Sequence, residues 1–149
     1  MSFKQAAWTH GSSIQFQDKS WEARSDRQGK RTRVWPTTVT KEWVHFAIPT
    51  PAIINNTERL KAHSTIIRFL TGSQASIVAI HGHDGDKQII NRNNLDLKSK
   101  PETPAYRERF DGMPPVFWGV GIDICVNFTG TNENEAWIDF ISVGVDFYL

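Results

Sequence analysis

The clearest pattern in the chain is an alternation of apolar and other residues between Val116 and Phe128. Every second position of these thirteen is apolar, which predicts a long β-strand with one apolar face. The opposite face is small at its centre and polar at its end, with Phe117, Gly119, Gly121, Asp123, Cys125 and Asn127. Because glycines within a strand often mark the close approach of another group, this face is a candidate ligand surface.

Shorter alternating runs recur along the chain, and no segment keeps a helical period. One run is predicted to place Trp43, His45 and Ala47 on one strand face and Val44, Phe46 and Ile48 on the other. Strands are also predicted over 7–16, 60–71, 75–83, 87–91 and 136–148, an exposed loop or edge hairpin over 18–33, and a proline-bracketed loop over 101–115. Asp84-Gly85 between two apolar runs predicts a type I′ hairpin.

Eight to ten strands without a helix predict an all-β protein. The favoured architecture is an antiparallel two-sheet sandwich of jelly-roll type, and a closed β-barrel is the second choice. Residues 1–149 are expected to form a single β-sandwich domain, since this length suits one core.

Composition narrows the classes of partner. The 17 basic and 16 acidic residues leave a formal net charge of +1, which offers no general attraction for nucleic acid or an anionic membrane. The single cysteine excludes an internal disulfide. No stretch resembles a signal peptide or a membrane span, so a cytoplasmic location is expected.

The candidate metal and nucleophile motifs are incomplete. His81 and His83 share a strand face, as in the His-X-His motif of cupins, but Lys87 and Gln88 occupy the region where a cupin has its glutamate, and His83 is the last histidine. No metal or cofactor is therefore predicted. Cys125 lies within an apolar strand, where a buried thiol acting as a small hydrophobe is commoner than a nucleophile.

Other polar residues leave alternatives open. Asp123 and Asp139 would be neighbours if the last two strands formed a hairpin, although a solvated face or backbone amide partners are favoured for them. Trp8 with His10, and Trp43 with His45, could each form a surface for a sugar or a conjugated ligand, or be ordinary packing. The basic run Arg27–Arg33 could contact phosphates, but a solvated loop is favoured.

Several segments together resemble a family of small all-β proteins that is known only as a domain of unknown function. They are Ala7-Trp8-Thr9-His10-Gly11, residues 43–51, His81-Gly82-His83-Asp84-Gly85, residues 117–122 and Gly144-Val145-Asp146-Phe147. The resemblance implies a compact β-domain and carries no activity.

The leading hypothesis is cofactor-independent binding of a small, largely apolar organic ligand in a pocket of the sandwich. It extends to a cyclase or isomerase acting by acid–base or hydrogen-bond assistance. The catalytic candidates are His81, His45 and Asp123; the ligand-binding candidates are Trp8, His10, Trp43, Phe117, Trp118, Gly119, Gly121 and Cys125. A carbohydrate-binding module of lectin type is the second hypothesis and a structural assembly protein the third, with a homo-oligomer left open.

Overall fold

A computed structural model describes residues 3–50, 59–99 and 105–149. Within them the chain forms eleven β-strands and two short 3-10 helices, at Gly11–Ser13 and Lys19–Arg24. The strands are β1 Phe3–His10, β2 Gln15–Phe16, β3 Ser25–Arg27, β4 Thr32–Val34, β5 Thr40–Ala47, β6 Lys61–Thr71, β7 Ala75–Asp84, β8 Lys87–Arg92, β9 Ala105–Arg109, β10 Val120–Phe128 and β11 Ile138–Tyr148. Neither described helix is long or apolar enough to cross a membrane.

The strands form two antiparallel sheets that do not close into a barrel, which confirms the predicted sandwich. The five-stranded sheet has the order β2-β5-β10-β7-β8. The six-stranded sheet has the order β3-β4-β11-β6-β9, and β1 pairs with the C-terminal part of β11.

The alternating apolar positions of both sheets meet in one core. On β10 the inward-facing apolar residues are Val120, Ile122, Ile124, Val126 and Phe128, and all five are buried. Large rings from both sheets, among them Phe46, Phe69, Phe140 and Phe147, are almost completely buried beside them. The apolar face of β10 therefore looks inward onto packed side chains, and its glycine-bearing face looks outward.

The segment between residues 7 and 16 is not one strand. It changes sheets at the 3-10 helix Gly11–Ser13, so that β1 belongs to the six-stranded sheet and β2 to the five-stranded sheet. A Cβ on Gly11 would lie 1.9 Å from the carbonyl oxygen of Phe140, so only glycine allows this close crossing.

The last two long strands do not pair as a hairpin, which was the condition for Asp123 and Asp139 to be neighbours. β10 lies in the five-stranded sheet and β11 in the six-stranded sheet. Asp123 and Asp139 consequently lie on opposite outer faces, and Asp139 is paired with Arg33 instead. Both strands bury an apolar face, and in a sandwich two such faces can meet across the core rather than side by side.

Two local predictions also change. β9, at the edge of the six-stranded sheet, lies inside the segment that was predicted as a loop. Its residues alternate between half-buried and exposed, but most of them are polar, so the sequence shows no alternation of apolar residues there. Residues 101–104 of that segment lie outside the described residues. The predicted β7–β8 hairpin is confirmed, but its turn type differs from the predicted type I′. Gly85 and Asp86 form the turn, and of these two only Gly85 has a positive φ, of 59°, as in a type II′ turn.

Candidate functional site

The outer face of the five-stranded sheet gathers most of the polar residues that the sequence singled out. Asp123 on β10 faces His45 on β5 on one side and His81 on β7 on the other. The neighbouring row across the sheet contains Ala47, Gly121 and His83, and the row on the other side contains Trp43, Cys125 and Ala79. Small residues thus border the carboxylate and the three histidines, and we call His45, His81, His83 and Asp123 the polar row.

Asp123 fixes two histidine rings. Its Oδ1 lies 2.6 Å from Nδ1 of His45, and its Oδ2 lies 3.1 Å from Nδ1 of His83. Because an ionised carboxylate only accepts hydrogen bonds, both Nδ1 atoms carry the proton. Nε2 of each ring lies on the side away from the bonded Nδ1 and can accept a hydrogen bond when the ring is neutral, and no described residue bonds either Nε2 atom. The rings are about one-third exposed, so these acceptors are open to a ligand.

Trp43 is held in place by its neighbours. Its ring lies against the His81 ring with 4.7 Å between centroids and a 45° tilt. His81 is fixed in turn, since its Nε2 lies 2.8 Å from Oδ1 of Asn93, whose amide nitrogen donates to Oδ1 of Asn91 at 2.8 Å. The tryptophan face is thereby presented by a chain of hydrogen-bonded side chains rather than by a mobile rotamer.

Open depressions lie on both sides of Trp43. The smaller, of about 180 Å³, is lined by Gln17, Trp43, His45, His81 and Asp123. The larger, of about 460 Å³, is lined by Lys41, Trp43, Val78, Ala79, Asn93, Asn94, Leu95 and Cys125. Sequence reasoning missed the amide residues of this site. The asparagine-rich segment Asn91–Asn94, at the end of β8, was the signal that could have suggested those near Trp43.

Cys125 forms part of the floor of the larger depression. It is 4% exposed, and burial raises the pKa of its thiol above the ordinary value of 9.0. A thiol that stays protonated is a poor nucleophile, so its contribution is shape rather than reactivity.

Phe117, Trp118 and Gly119 lie in a loop before β10, not in the strand itself. The 2%-exposed carboxylate of Asp84 accepts three backbone N–H bonds, from Phe117 at 2.8 Å, Trp118 at 2.8 Å and Gly119 at 2.9 Å. These bonds replace strand pairing and explain why β10 begins at Val120 and not at Val116. The loop leaves the Trp118 side chain 78% exposed.

Trp8 and His10 are not brought to this face, because β1 pairs with β11 in the other sheet. The Trp8 ring covers Gly144 on the outer face of the six-stranded sheet. His10 accepts the backbone N–H of Ser12 at Nδ1, 2.9 Å away, and its Nε2 lies 2.9 Å from the carbonyl oxygen of Gly29. The predicted site residues therefore divide between the two sides of the sandwich.

No group of three or more histidine, cysteine, aspartate or glutamate residues that could hold a metal ion occurs in the described part of the chain. His81 and His83 share a face as predicted, but their side chains are engaged by Asn93 and Asp123 respectively.

The comparisons place the chain in a family. A model described as Family of unknown function (DUF6623) matches residues 2–148. The chain belongs to this family. The finding confirms the resemblance to an uncharacterised all-β family. No curated protein matches the chain significantly.

Solved structures share the fold at low sequence identity. The xylan-binding module CBM86 from the gut symbiont Roseburia intestinalis superposes with a TM-score of 0.50 and 10% identity, covering 97% of each chain. TmCBM61 in complex with β-1,4-galactotriose superposes with a TM-score of 0.48 and 11% identity, covering 98% of this chain and 88% of that one. At such identities the likeness shows the fold alone, a β-sandwich that ligand-binding modules use.

Proposed function

We propose that this protein binds carbohydrate on the outer face of its five-stranded sheet. The observation that carries the proposal is the fixed, half-buried Trp43 ring between two open depressions whose walls bear histidine, amide and carboxylate groups. A pyranose has an apolar face of C–H groups and a rim of hydroxyls, so it needs both an aromatic surface and hydrogen-bonding groups around it.

The polar row and the neighbouring amide side chains together supply hydrogen-bond acceptors and donors. The two Nε2 atoms of His45 and His83 accept hydrogen bonds in the neutral rings, because Asp123 holds the proton on Nδ1. The amides of Gln17 and Asn94 line the two depressions and can each donate and accept. In this proposal Asp123 is a positioning residue that orients two rings toward the sugar hydroxyls.

A sugar suits this surface better than the small apolar ligand of the leading sequence hypothesis. The space between the sheets is packed with side chains, and the depressions beside Trp43 are open and partly polar. A cyclase acting on a reactive apolar substrate would benefit from a closed, water-excluding site. The fold shared with a xylan-binding module adds support for the carbohydrate class.

The test is binding of the full chain to a glycan array, followed by calorimetry with soluble xylan and β-1,4-galactan. We expect a dissociation constant of millimolar or better for at least one glycan. Trp43→Ala should weaken binding roughly tenfold, since an aromatic contact contributes about 0.5–1.5 kcal/mol beyond the area it buries.

Trp8→Ala is the matched control, because Trp8 is the exposed tryptophan of the opposite sheet. It should leave glycan affinity unchanged. A folded wild-type chain that binds no glycan, or a folded Trp43→Ala variant that binds as well as the wild type, would contradict the proposal.

A further inference from the structure

A third depression, of about 340 Å³, lies on the outer face of the six-stranded sheet, on the opposite side of the sandwich from the proposed sugar site. It is lined by Lys30, Arg31, Arg33, Leu70, Asp139 and Ile141, and we call it the basic pocket. Its cations come from the Arg27–Arg33 run, which the proposed function does not use. The β3–β4 hairpin places them over an apolar floor formed by Leu70 and Ile141.

One buried carboxylate holds two guanidinium groups side by side. The carboxylate of Asp139, which is only 5% exposed, accepts one hydrogen bond from Nε of Arg33 at 2.7 Å and another from Nη2 of Arg33 at 3.0 Å. Nε of Arg31 lies 3.7 Å from the same carboxylate. The Arg33 guanidinium also stacks on the Trp137 ring, 4.1 Å from its centroid. Both arginines are thus oriented before any ligand arrives.

The positive charge around the pocket exceeds the negative charge. Arg31 also contacts the exposed carboxylate of Asp26 at 3.4 Å, whereas Lys30 and Arg68 have no acidic partner among the described residues. Arg68 lies two positions before Leu70 on β6, so its side chain is on the same face of the sheet. Four cations and two carboxylates therefore leave two positive charges. Within the described residues, Nη1 of Arg33 and Nη2 of Arg31 also have no partner.

The hairpin that carries Lys30 and Arg31 is anchored to the rest of the protein. Nε2 of His10 lies 2.9 Å from the carbonyl oxygen of Gly29. Within the hairpin itself, the backbone N–H of Gln28 donates to the carbonyl oxygen of Arg31 at 2.8 Å. Arg27 donates from Nη2 to the carbonyl oxygen of Ile14 at 2.9 Å. A turn held at several points loses little conformational freedom when its side chains bind a ligand.

We propose that the basic pocket binds the carboxylate or sulfate group of an acidic polysaccharide. Surplus charge and unused guanidinium N–H groups match an oxyanion. A nucleic acid fits less well, because the Trp137 ring is already stacked under Arg33 and the net charge of the chain is only +1. The inference that the anion belongs to a polysaccharide rests on the proposed function. The inference of an anion site rests only on the contacts within the basic pocket.

The experiment measures binding of the full chain to dextran, carboxymethyl-dextran and dextran sulfate, which share one backbone and differ in charge. We expect binding to at least one charged polymer, none to dextran, and weakening as salt rises. Preference between the two charged polymers distinguishes carboxylate from sulfate. The double variant Lys30→Gln/Arg31→Gln should lose at least tenfold in affinity while Arg33 still pairs with the buried Asp139.

Lys87→Gln, an exposed lysine on β8 of the other sheet, is the charge-matched control and should bind as the wild type does. Trp43→Ala should retain charged-polymer binding, so a failure of the sugar proposal and a failure of this one are distinguishable. Equal affinity in a folded Lys30→Gln/Arg31→Gln variant, or an equal loss in Lys87→Gln, would overturn the anion site. Tighter, Arg31-dependent binding of single-stranded DNA would overturn the polysaccharide assignment.

Discussion

At the scale of single residues, Asp84 shows how one buried carboxylate shapes a surface. Its two oxygens satisfy three successive backbone N–H groups that would otherwise have no partner in the sheet. The loop before β10 is therefore ordered by an acid on another strand. The sequence shows this residue only as the start of an Asp-Gly turn, because a bond to a segment more than thirty positions away leaves no local pattern.

Asp84→Asn should destabilise the protein. The amide has one accepting oxygen in place of two, so at least one N–H among residues 117–119 loses its acceptor, at a cost of about 1–3 kcal/mol. Urea denaturation measures the loss. Asp86→Asn, in the exposed turn of the same hairpin, is the control and should change stability by less than about 0.5 kcal/mol. Equal stability of the two variants would contradict the role given to Asp84.

At the scale of elements, two glycines that look alike in sequence have opposite surroundings. Gly121 on β10 has open space around it: an added Cβ would meet its nearest atom, the carbonyl oxygen of Phe46, at 4.0 Å. Gly144 on β11 lies under the ring of Trp8, and an added Cβ would come within 2.6 Å of that ring. The first glycine leaves room beside the polar row, and the second is filled by a neighbouring strand.

The two glycines predict opposite mutational effects. Gly121→Ala should stabilise the fold by roughly 0.5–1 kcal/mol, since glycine in a strand costs that much relative to alanine. Gly144→Ala should destabilise it by about 1–3 kcal/mol, because the Trp8 ring must move away from its packed position. Thermal and urea unfolding of both variants measure these shifts. Destabilisation by Gly121→Ala comparable to that by Gly144→Ala would show that the outer face near Gly121 is not open.

At the scale of the whole molecule, a buried carboxyl group makes the stability of the fold depend on pH. The group belongs to Glu42, on the inward side of β5. It is 6% exposed; Oε1 accepts the backbone N–H of Trp43 at 2.7 Å, and no described residue bonds Oε2. Burial raises the pKa of this carboxyl above 4.5, and the nearby charge of Asp18 adds to the effect. The folded protein therefore takes up a proton at higher pH than the unfolded chain does.

The free energy of unfolding should therefore fall as pH rises from about 4.5 through the pKa of Glu42 in the folded protein. In that pH range the folded protein binds one more proton than the unfolded chain does. Glu42→Gln should remove this slope, which urea denaturation between pH 4.5 and 8 would reveal. Asp18 and Glu22 have lowered pKa values, so their contributions are lost below about 4.5 and act in a separate window. An unchanged slope in Glu42→Gln would contradict this assignment.

Much of the fold could be predicted because strand faces are a local property. The alternation in β5 and β10 correctly separates buried Val44, Phe46 and Ile122 from outward-facing His45 and Asp123, since side chains alternate strictly along a strand. The β7–β8 hairpin was found for a similar reason, because a glycine with positive φ marks its turn.

The candidate site could be predicted only in part. The sequence supplied Trp43, His45, His81 and Asp123, yet it could not show that one carboxylate bonds both His45 and His83. Cross-strand contacts depend on register and on strand order, and neither is encoded in the spacing of a single strand. Gln17 and Asn93 were missed for the same reason, since their segments approach Trp43 only after folding.

By itself, then, the sequence sorted the residues of β5 and β10 into two opposite strand faces, because side chains alternate along a strand with a period of two. Only the tertiary structure decided which face of each strand is buried and which strands share a sheet. That choice puts Trp8 and His10 on one side of the sandwich and Trp43 with the polar row on the other, and it separates Asp123 from Asp139. The reason is physical: each apolar face can be buried against several partners, and only the packing of the strands together into one core selects among them.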